Sequence, residues 1–93
     1  MKSKTTKRFR SLYYQLPQDV QKLTMKNYRL WKQNPSQPGL GFKRIQNKNG
    51  VIHYSVRIGL HWRALGKYSQ LDLSILWYWI GSHEAYNVLL NRL

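Results

Sequence analysis

The stretch VRIGLHWRALG, residues 56–66, decides the fold because it predicts the central hairpin of a β-sheet. A Gly-Leu-His corner at residues 59–61 separates two segments rich in apolar and β-branched residues. Residues 52–58 alternate strictly between apolar and polar side chains, which is typical of a strand with one buried face. Two arginines, Arg57 and Arg63, interrupt this apolar sequence. A charged side chain is costly in a strand that builds a core, so these two residues need an explanation.

The length of the corner determines whether the two arginines share a face of the sheet. With a three-residue corner at 59–61, Ile58 pairs with Trp62 and Arg57 pairs with Arg63, and directly opposed residues point to the same face. The other side chains on that face are then His53, Ser55 and Lys67. A two-residue corner shifts the register and separates the arginines. Opposed like charges destabilise a sheet, so a shared face predicts an anion or a partner's carboxylate between them. The alternative is that both are edge charges that prevent pairing with other sheets.

Periodicity and turn signals predict the remaining elements. The first six residues read as a basic, flexible tail or a short edge strand. Helices are predicted at about 7–16, capped by Thr5 or Thr6, at about 17–33, beginning at Pro17, and after Ser82 to the end. The strands are predicted at 42–46, 51–59, 62–68 and 73–80, with an Asn-Gly turn at 47–50.

These elements predict an α+β fold. Two N-terminal helices pack on one face of a curved antiparallel sheet of about four strands, and a short helix closes the chain. This arrangement leaves the other face of the sheet partly open, where basic side chains could meet a ligand. Asn27 falls on the apolar stripe of the second helix, so it needs a polar partner or lies at the edge of the stripe. The 93 residues are expected to form a single domain.

Positive charge dominates the composition. Sixteen Lys and Arg residues stand against three acidic residues, which gives a net charge of +13. A domain this basic repels itself unless an acidic partner is close. Nucleic acid, an anionic membrane surface and an acidic protein are the three classes of partner that fit.

Several classes of site are disfavoured. The chain has no cysteine, so it contains no disulfide framework and no thiolate metal site. The three histidines are too scattered in sequence for a metal-ligand motif, and no cofactor is indicated. The longest apolar run, residues 73–80, is too short to span a membrane, and no secretion signal is recognisable. We therefore expect a cytoplasmic protein that does not bind membranes.

Two segments resemble the RelE/ParE superfamily of toxins from type II toxin–antitoxin systems. They are YSVRIGLHWRALG at 54–66 and WYWIGSHEAYNVLL at 77–90. The resemblance covers about residues 7–91. It implies a compact basic toxin that is neutralised by an acidic or amphipathic antitoxin. Members similar to RelE cut mRNA in the ribosomal A site without a metal, by attack of the 2′-OH on the adjacent phosphate.

The resemblance also implies roles for individual residues. Arg57 and Arg63 match the paired strand arginines of the family and would hold the scissile phosphate. His83 would act as acid or base, and Tyr86 would stack on a base or share in proton transfer. Alternatively, His83 covers the start of the last helix and Tyr86 belongs to the core. The candidates for binding RNA are Lys43, Arg44, His61 and Lys67.

Departures from the family pattern keep other functions open. The corner between the arginines is one residue longer than in the common form of the family. Active nucleases of the family carry a dense run of lysines and arginines, and this chain has only a few residues of that run. Relatives similar to ParE inhibit DNA gyrase and are not enzymes. The alternatives to an mRNA endonuclease are therefore a gyrase inhibitor and a catalytically inactive RNA-binding relative.

Overall fold

The computed structural model describes residues 1–46 and 49–93, and it contains three helices and five strands in that part of the chain. The predicted turn at 47–50 lies partly outside the described residues. In chain order the elements are β1 (Lys2–Thr5), α1 (Lys7–Tyr14), α2 (Gln18–Gln33), β2 (Lys43–Gln46), β3 (Ile52–Ile58), β4 (Trp62–Ser69), β5 (Ser74–Ser82) and α3 (His83–Leu90).

The strands form one mixed sheet in the order β1-β5-β4-β3-β2. The α+β class is confirmed, but the sheet has one strand more than the predicted four and is not wholly antiparallel. The additional strand is β1, which pairs in parallel with β5. Of the two interpretations of residues 1–6, the edge strand is the one observed. Its polar sequence, KSKT, carries no alternating apolar signal that could reveal a strand.

Side-chain caps mark the starts of α1 and α3 at positions that the sequence indicates. The Thr6 hydroxyl accepts a hydrogen bond from the Phe9 backbone N–H at the start of α1. Ser82 does the same for the Ala85 backbone N–H at the start of α3. Each cap satisfies one of the N–H groups that a helix leaves unpaired at its first turn. Pro17 occupies the N-cap position of α2, so the helix begins at Gln18, one residue after the predicted start.

One apolar core lies between the sheet and the pair α1–α2. Trp31 of α2 is 2% exposed and packs edge-on against Trp77 of β5, with ring centroids 5.5 Å apart. Val56, Ile58 and Ala64 complete the sheet side of this core. Asn27, the polar residue on the stripe of α2, donates a hydrogen bond of 3.2 Å from Nδ2 to the Arg57 carbonyl oxygen. The predicted need for a partner is therefore confirmed.

A second, smaller core lies on the opposite face of the sheet, under α3. Tyr86 is 4% exposed and packs with Leu65 and Trp79. The prediction that all helices leave this face open is therefore wrong in part, because α3 folds back over β4 and β5. A bulge in β5 makes this possible: Leu65 pairs with Trp79 and Gly66 with Trp77, so Tyr78 is an extra residue. The apolar run is thus covered on both faces, as predicted.

Candidate anion-binding face

Arg57 and Arg63 are directly opposed across strands β3 and β4. The register pairs Ile58 with Trp62 and Arg57 with Arg63, so the corner has three residues. Gly59 has a φ of +62°, a left-handed conformation that glycine adopts without steric cost. Because opposed residues point to the same side of a sheet, both arginines belong to one face. Of the two corner lengths that the sequence left open, the three-residue corner with a shared arginine face is the one observed.

Glycines lie on both sides of the arginine pair. On β5, Gly81 is the partner of Arg63. On the other side, the Arg57 side chain passes over Gly41, where an added Cβ would lie 3.0 Å from Cγ, Cδ and Nε of Arg57. At Gly81 the Trp79 ring fills the place of a side chain, since an added Cβ would lie 2.6 Å from it. The arginines therefore form the polar surface of this end of the sheet.

Backbone groups hold both arginines in place. Nη1 of Arg63 donates to the Trp62 carbonyl oxygen at 2.7 Å, and it lies 3.4 Å from the Leu60 carbonyl oxygen. The Arg63 guanidinium thus lies against the backbone carbonyl groups of Leu60 and Trp62. The Arg57 backbone N–H donates to the Leu40 carbonyl oxygen at 2.7 Å, which fixes the loop before β2 against β3. The longer corner therefore has a structural use, because it supplies acceptors for Arg63.

The same face carries further cations and no acidic residue from strands β3 and β4. Lys43 is paired with Ser55 and Lys67 with His53, so both lysines share the arginine face. Arg44 is paired with Tyr54 and therefore points to the opposite face, away from the arginines. The three acidic residues are in α2, in the turn before β5 and in the first turn of α3: Asp19, Asp72 and Glu84. Strands β3 and β4 therefore contribute only positive charge to this face, and Glu84 is the acidic residue of the helix that packs on it.

The structure places His61 and His83 beside the arginine pair but leaves Tyr86 in the core. The His83 backbone N–H donates to the His61 carbonyl oxygen at 2.7 Å, which ties the start of α3 to the corner. The His83 ring stacks on Tyr86 with centroids 6.4 Å apart. The Tyr86 hydroxyl is buried and has no hydrogen-bond partner among the described residues. Tyr86 therefore contacts His83 and the core, and it has no access to a ligand on this face.

Within the described part of the chain, no three His, Asp or Glu side chains come together to hold a metal ion. No helix of that part is long and apolar enough to cross a membrane. The arginine face offers guanidinium and ammonium groups, with the imidazoles of His61 and His83 beside the arginine pair.

Comparison with known proteins agrees with this architecture. A family model for the ParE-like toxin domain matches residues 18–88. The chain belongs to the ParE-like toxin family. The toxin also shares its fold with the archaeal RelE–RelB complex from Pyrococcus horikoshii OT3, with a TM-score of 0.68 and 13% sequence identity over 87% of this chain and 92% of that chain. No curated protein matches the sequence. The resemblance based on residues 54–66 and 77–90 is confirmed.

Sequence reasoning missed one cluster of the toxin, at the other end of the same face. The Tyr78 hydroxyl lies 3.0 Å from Nδ1 of His53, and Nζ of Lys67 lies 5.7 Å from the centroid of the Tyr78 ring. Arg8 of α1 is close enough to influence the titration of Tyr78. The only available signal was the run of nine residues in β5, in which a bulge turns Tyr78 and Trp79 to the same side.

Burial favours the uncharged forms of Tyr78 and His53, whereas Lys67 and Arg8 are the cations of this cluster. Burial raises the pKa of Tyr78 to about 12, against a smaller lowering effect of Arg8. Burial, with the nearby Lys67 charge, lowers the pKa of His53 below its ordinary value of 6.5. Both shifts oppose the charged form of a buried group.

The toxin is expected to lose thermal stability as the pH falls below the ordinary pKa of histidine. The His53 pKa is lowered in the folded state, so the unfolded chain binds more protons in this range and protonation favours unfolding. The stability that comes from the lowered pKa of His53 is fully present above the ordinary histidine pKa of 6.5. It is lost as the pH falls toward the lower pKa that His53 has in the folded state. Measuring Tm from about pH 7.5 to about pH 5 for the wild type and His53→Gln checks this. An equal slope for both proteins would contradict it.

Gly41→Ala is expected to weaken toxicity by displacing the Arg57 side chain. Its Cβ would lie 3.0 Å from three atoms of that side chain, which must then move by a few tenths of an ångström, so we expect a loss of about tenfold or less. Gly39→Ala is the matched control, because Gly39 also has a positive φ, +92°, but an added Cβ meets nothing within 4 Å. The inducer level needed for growth arrest measures the effect. Equal losses in the two variants would show that backbone strain alone is responsible.

Proposed function

We propose that this toxin is a RelE-like, ribosome-dependent mRNA endonuclease whose arginine pair binds the scissile phosphate. The observation that carries the proposal is the direct pairing of Arg57 with Arg63 on a face that presents no acidic residue from β3 or β4. Such a pair destabilises the free sheet, and an anion between the two guanidinium groups removes the repulsion. Arginine also offers the bidentate donor geometry that matches phosphate oxygens.

The proposed chemistry is the metal-independent attack of the 2′-OH on the adjacent phosphate: the 2′-OH gives up its proton and bonds to phosphorus, the bond from phosphorus to the 5′-oxygen breaks, and the leaving 5′-oxygen takes up a proton, which leaves a 2′,3′-cyclic phosphate. Negative charge grows on the phosphate oxygens as the new bond forms, and Arg57 and Arg63 stabilise it electrostatically. His83 is the group that moves a proton, because its backbone is tied to the corner between the two arginines and imidazole is the side chain whose ordinary pKa lies nearest neutral pH. Tyr86 is a positioning residue in this scheme, since its buried ring stacks on His83.

Four further cations were predicted to bind RNA, and the geometry divides them. Lys43 and Lys67 share the arginine face and would extend contact along the phosphate backbone, which gives affinity without sequence preference. His61, exposed at the corner, would contact the nucleotide next to the cleaved bond. Arg44 is on the opposite face and would reach RNA only around the edge of the sheet, so we assign it no direct contact.

An antitoxin that masks this charge is the expected partner. The chain carries +13, and the structural neighbour from P. horikoshii was solved as a RelE–RelB complex. An acidic or amphipathic protein would lower the self-repulsion of the toxin and cover its cationic face.

Expression of the toxin with mapping of cellular mRNA ends tests the proposal. We expect growth arrest, with new 5′ ends that appear only in translated regions and that vanish when translation is blocked before expression. Intact mRNA during growth arrest would overturn the proposal.

Inhibition of DNA gyrase without catalysis is the second candidate. Two observations favour it: the matching family model is that of the ParE-like toxin domain, and the Tyr86 hydroxyl is buried away from any substrate. This candidate predicts filamentation and DNA damage signalling with intact mRNA. A supercoiling assay with purified gyrase decides between the two, because a nuclease leaves the enzyme unaffected. A protein that binds RNA but arrests no growth would instead be the inactive relative.

A further inference from the structure

A cavity of about 280 Å³ lies in the main core, between the helix pair α1–α2 and the sheet. We name it the α1–α2 cavity, and its sheet side includes Val56, Ile58, Ala64 and Trp77. Val56 and Ile58 flank Arg57 along β3, so the cavity and the arginine pair lie on opposite faces of the sheet. An apolar cavity of ~150 Å³ takes up benzene, so the α1–α2 cavity has room for one aromatic ring with a short chain.

Aromatic side chains dominate the wall of the cavity. The rings that line it are those of Phe9, Tyr13, Tyr14, Tyr28, Trp31 and Trp77. The Trp31 and Trp77 rings meet edge-on with centroids 5.5 Å apart, and Tyr28 stacks on Trp31 at 6.1 Å. Aromatic rings attract one another in edge-on and offset-stacked arrangements. The wall is therefore complementary to a flat aromatic molecule.

Two buried hydrogen-bond donors of the wall have no acceptor. Trp31 is 2% exposed and Trp77 is 4% exposed, and neither indole N–H has a partner among the described residues. In contrast, the Thr24 hydroxyl and the Asn27 amide of the same wall each donate to a backbone carbonyl oxygen, at 2.7 and 3.2 Å. A buried donor without a partner is costly. The cavity therefore favours a ligand that brings an acceptor oxygen.

Arg10 adds a positive charge where the cavity opens to solvent. Its side chain is exposed and lines the cavity, and no acidic residue does so among the described residues. Nη1 of Arg10 donates to the carbonyl and hydroxyl oxygens of Thr5, at 2.8 and 2.9 Å. Thr5 is in turn the strand partner of Trp77, and neighbouring strands lie ~4.8 Å apart. The Arg10 guanidinium is thus held next to the strand that carries one of the unpaired indoles.

We propose that the α1–α2 cavity binds a small aromatic carboxylate. The ring of the ligand packs among the aromatic side chains, and its carboxylate accepts hydrogen bonds from Arg10 and from the indole N–H of Trp77. A guanidinium and a carboxylate form the stronger, charge-assisted kind of hydrogen bond. The proposal goes beyond the proposed function, because the cavity lies on the face of the sheet that carries neither Arg57 nor Arg63.

The test follows the indole N–H signals of the ¹⁵N-labelled toxin by nuclear magnetic resonance while phenylacetate is added. Trp31→Phe and Trp77→Phe assign the two cavity signals, and Trp79, which packs in the second core on the other face, is the internal control. We expect the Trp31 and Trp77 signals to move with one shared Kd of about 1 mM or tighter. Cavity signals that stay in place up to about 10 mM, or a Trp79 signal that moves equally, would overturn the proposal.

Arg10→Gln tests the charge at the opening of the cavity. We expect this variant to bind phenylacetate about tenfold more weakly, because it loses a charge-assisted hydrogen bond. Arg29→Gln is the matched control, since Arg29 is exposed on α2 and is not part of the cavity wall. It is expected to bind within about twofold of the wild type. Circular dichroism melting verifies that both variants are folded, and equal weakening by both would rule out a specific role of Arg10 and overturn the proposal.

Three further titrations separate the cavity from general attraction of anions by a chain of charge +13. Acetate lacks the ring, and phenethylamine replaces the carboxylate by an ammonium group, so each is expected to move the cavity signals with at least about tenfold lower affinity. The variant Arg57→Ala/Arg63→Ala is expected to bind phenylacetate within about twofold of the wild type, because the arginine pair is on the other face. Equal binding of acetate or phenethylamine, or loss of phenylacetate binding in this variant, would contradict the assignment. No readout here involves RNA, so a failure of the nuclease function is distinguishable from a failure of this proposal.

Discussion

The double variant Arg57→Ala/Arg63→Ala is expected to lose growth arrest and mRNA cleavage altogether. Removing a single donor to a charge that develops in the transition state typically costs about 10²–10³-fold in rate, and this variant removes both guanidinium groups. The two side chains are directly opposed on β3 and β4, so no neighbouring arginine on that face replaces them. Cleavage of mRNA on translating ribosomes, measured with purified toxin, checks the expectation.

The same variant is expected to remain folded. Removing opposed like charges stabilises a sheet by about 0.2–1 kcal/mol. Loss of the Arg63 hydrogen bond to the Trp62 carbonyl oxygen costs a similar amount, about 0.5–1.5 kcal/mol, so the two effects nearly cancel. The matched control is Arg29→Ala/Arg92→Ala, which removes the same charge from two exposed positions. A double variant that is as toxic as the wild type, or a control that is equally inactive, would contradict the phosphate-binding role.

Trp31→Ala is expected to destabilise the toxin by about 3–5 kcal/mol, a large part of the ~5–15 kcal/mol that a domain has. Trp31 joins α2 to the sheet. Its ring packs against Tyr28, Phe42 and Trp77, with centroid distances of 6.1, 5.7 and 5.5 Å. Chemical denaturation with urea measures the free energy of unfolding of the wild type and the variant.

Trp31→Phe is the control for this prediction. The indole N–H of Trp31 is buried and has no hydrogen-bond partner among the described residues. Replacing the indole by a benzyl ring removes that unsatisfied donor while keeping an aromatic contact, so the loss is expected to be well below that of alanine. Equal destabilisation by Phe and Ala would show that the size of the indole, and not the presence of an aromatic ring, holds α2 on the sheet.

Local patterns predicted much of the fold correctly. Strict alternation at 52–58 predicted strand β3, and the observed β3–β4 register is the one that follows from the three-residue alternative for the Gly-Leu-His corner. Thr6 and Ser82 were recognised as caps because a hydroxyl at these positions can pair with a backbone N–H two or three residues on. These features depend on residues that are close in sequence, so local composition and periodicity are enough to predict them.

Features that depend on distant contacts were not predictable. The strand β1 has a polar sequence and forms because β5 offers a free parallel edge. The position of α3 over Leu65 depends on the bulge in β5, which no local signal marks. The opposite orientation of Arg44 follows from its partner Tyr54.

The sequence by itself determined the family, the hairpin and the excess of positive charge. The tertiary structure alone decided which cations act together. Residues two apart on a strand share a face whatever surrounds them, so the grouping within β3 follows from the sequence. Pairing between strands and the packing of Tyr86 of α3 on Leu65 and Trp79 depend on turn length, a bulge and long-range packing. For that reason the sequence offered the Arg57–Arg63 pair only as one of two alternatives, and the register of the folded sheet decided between them.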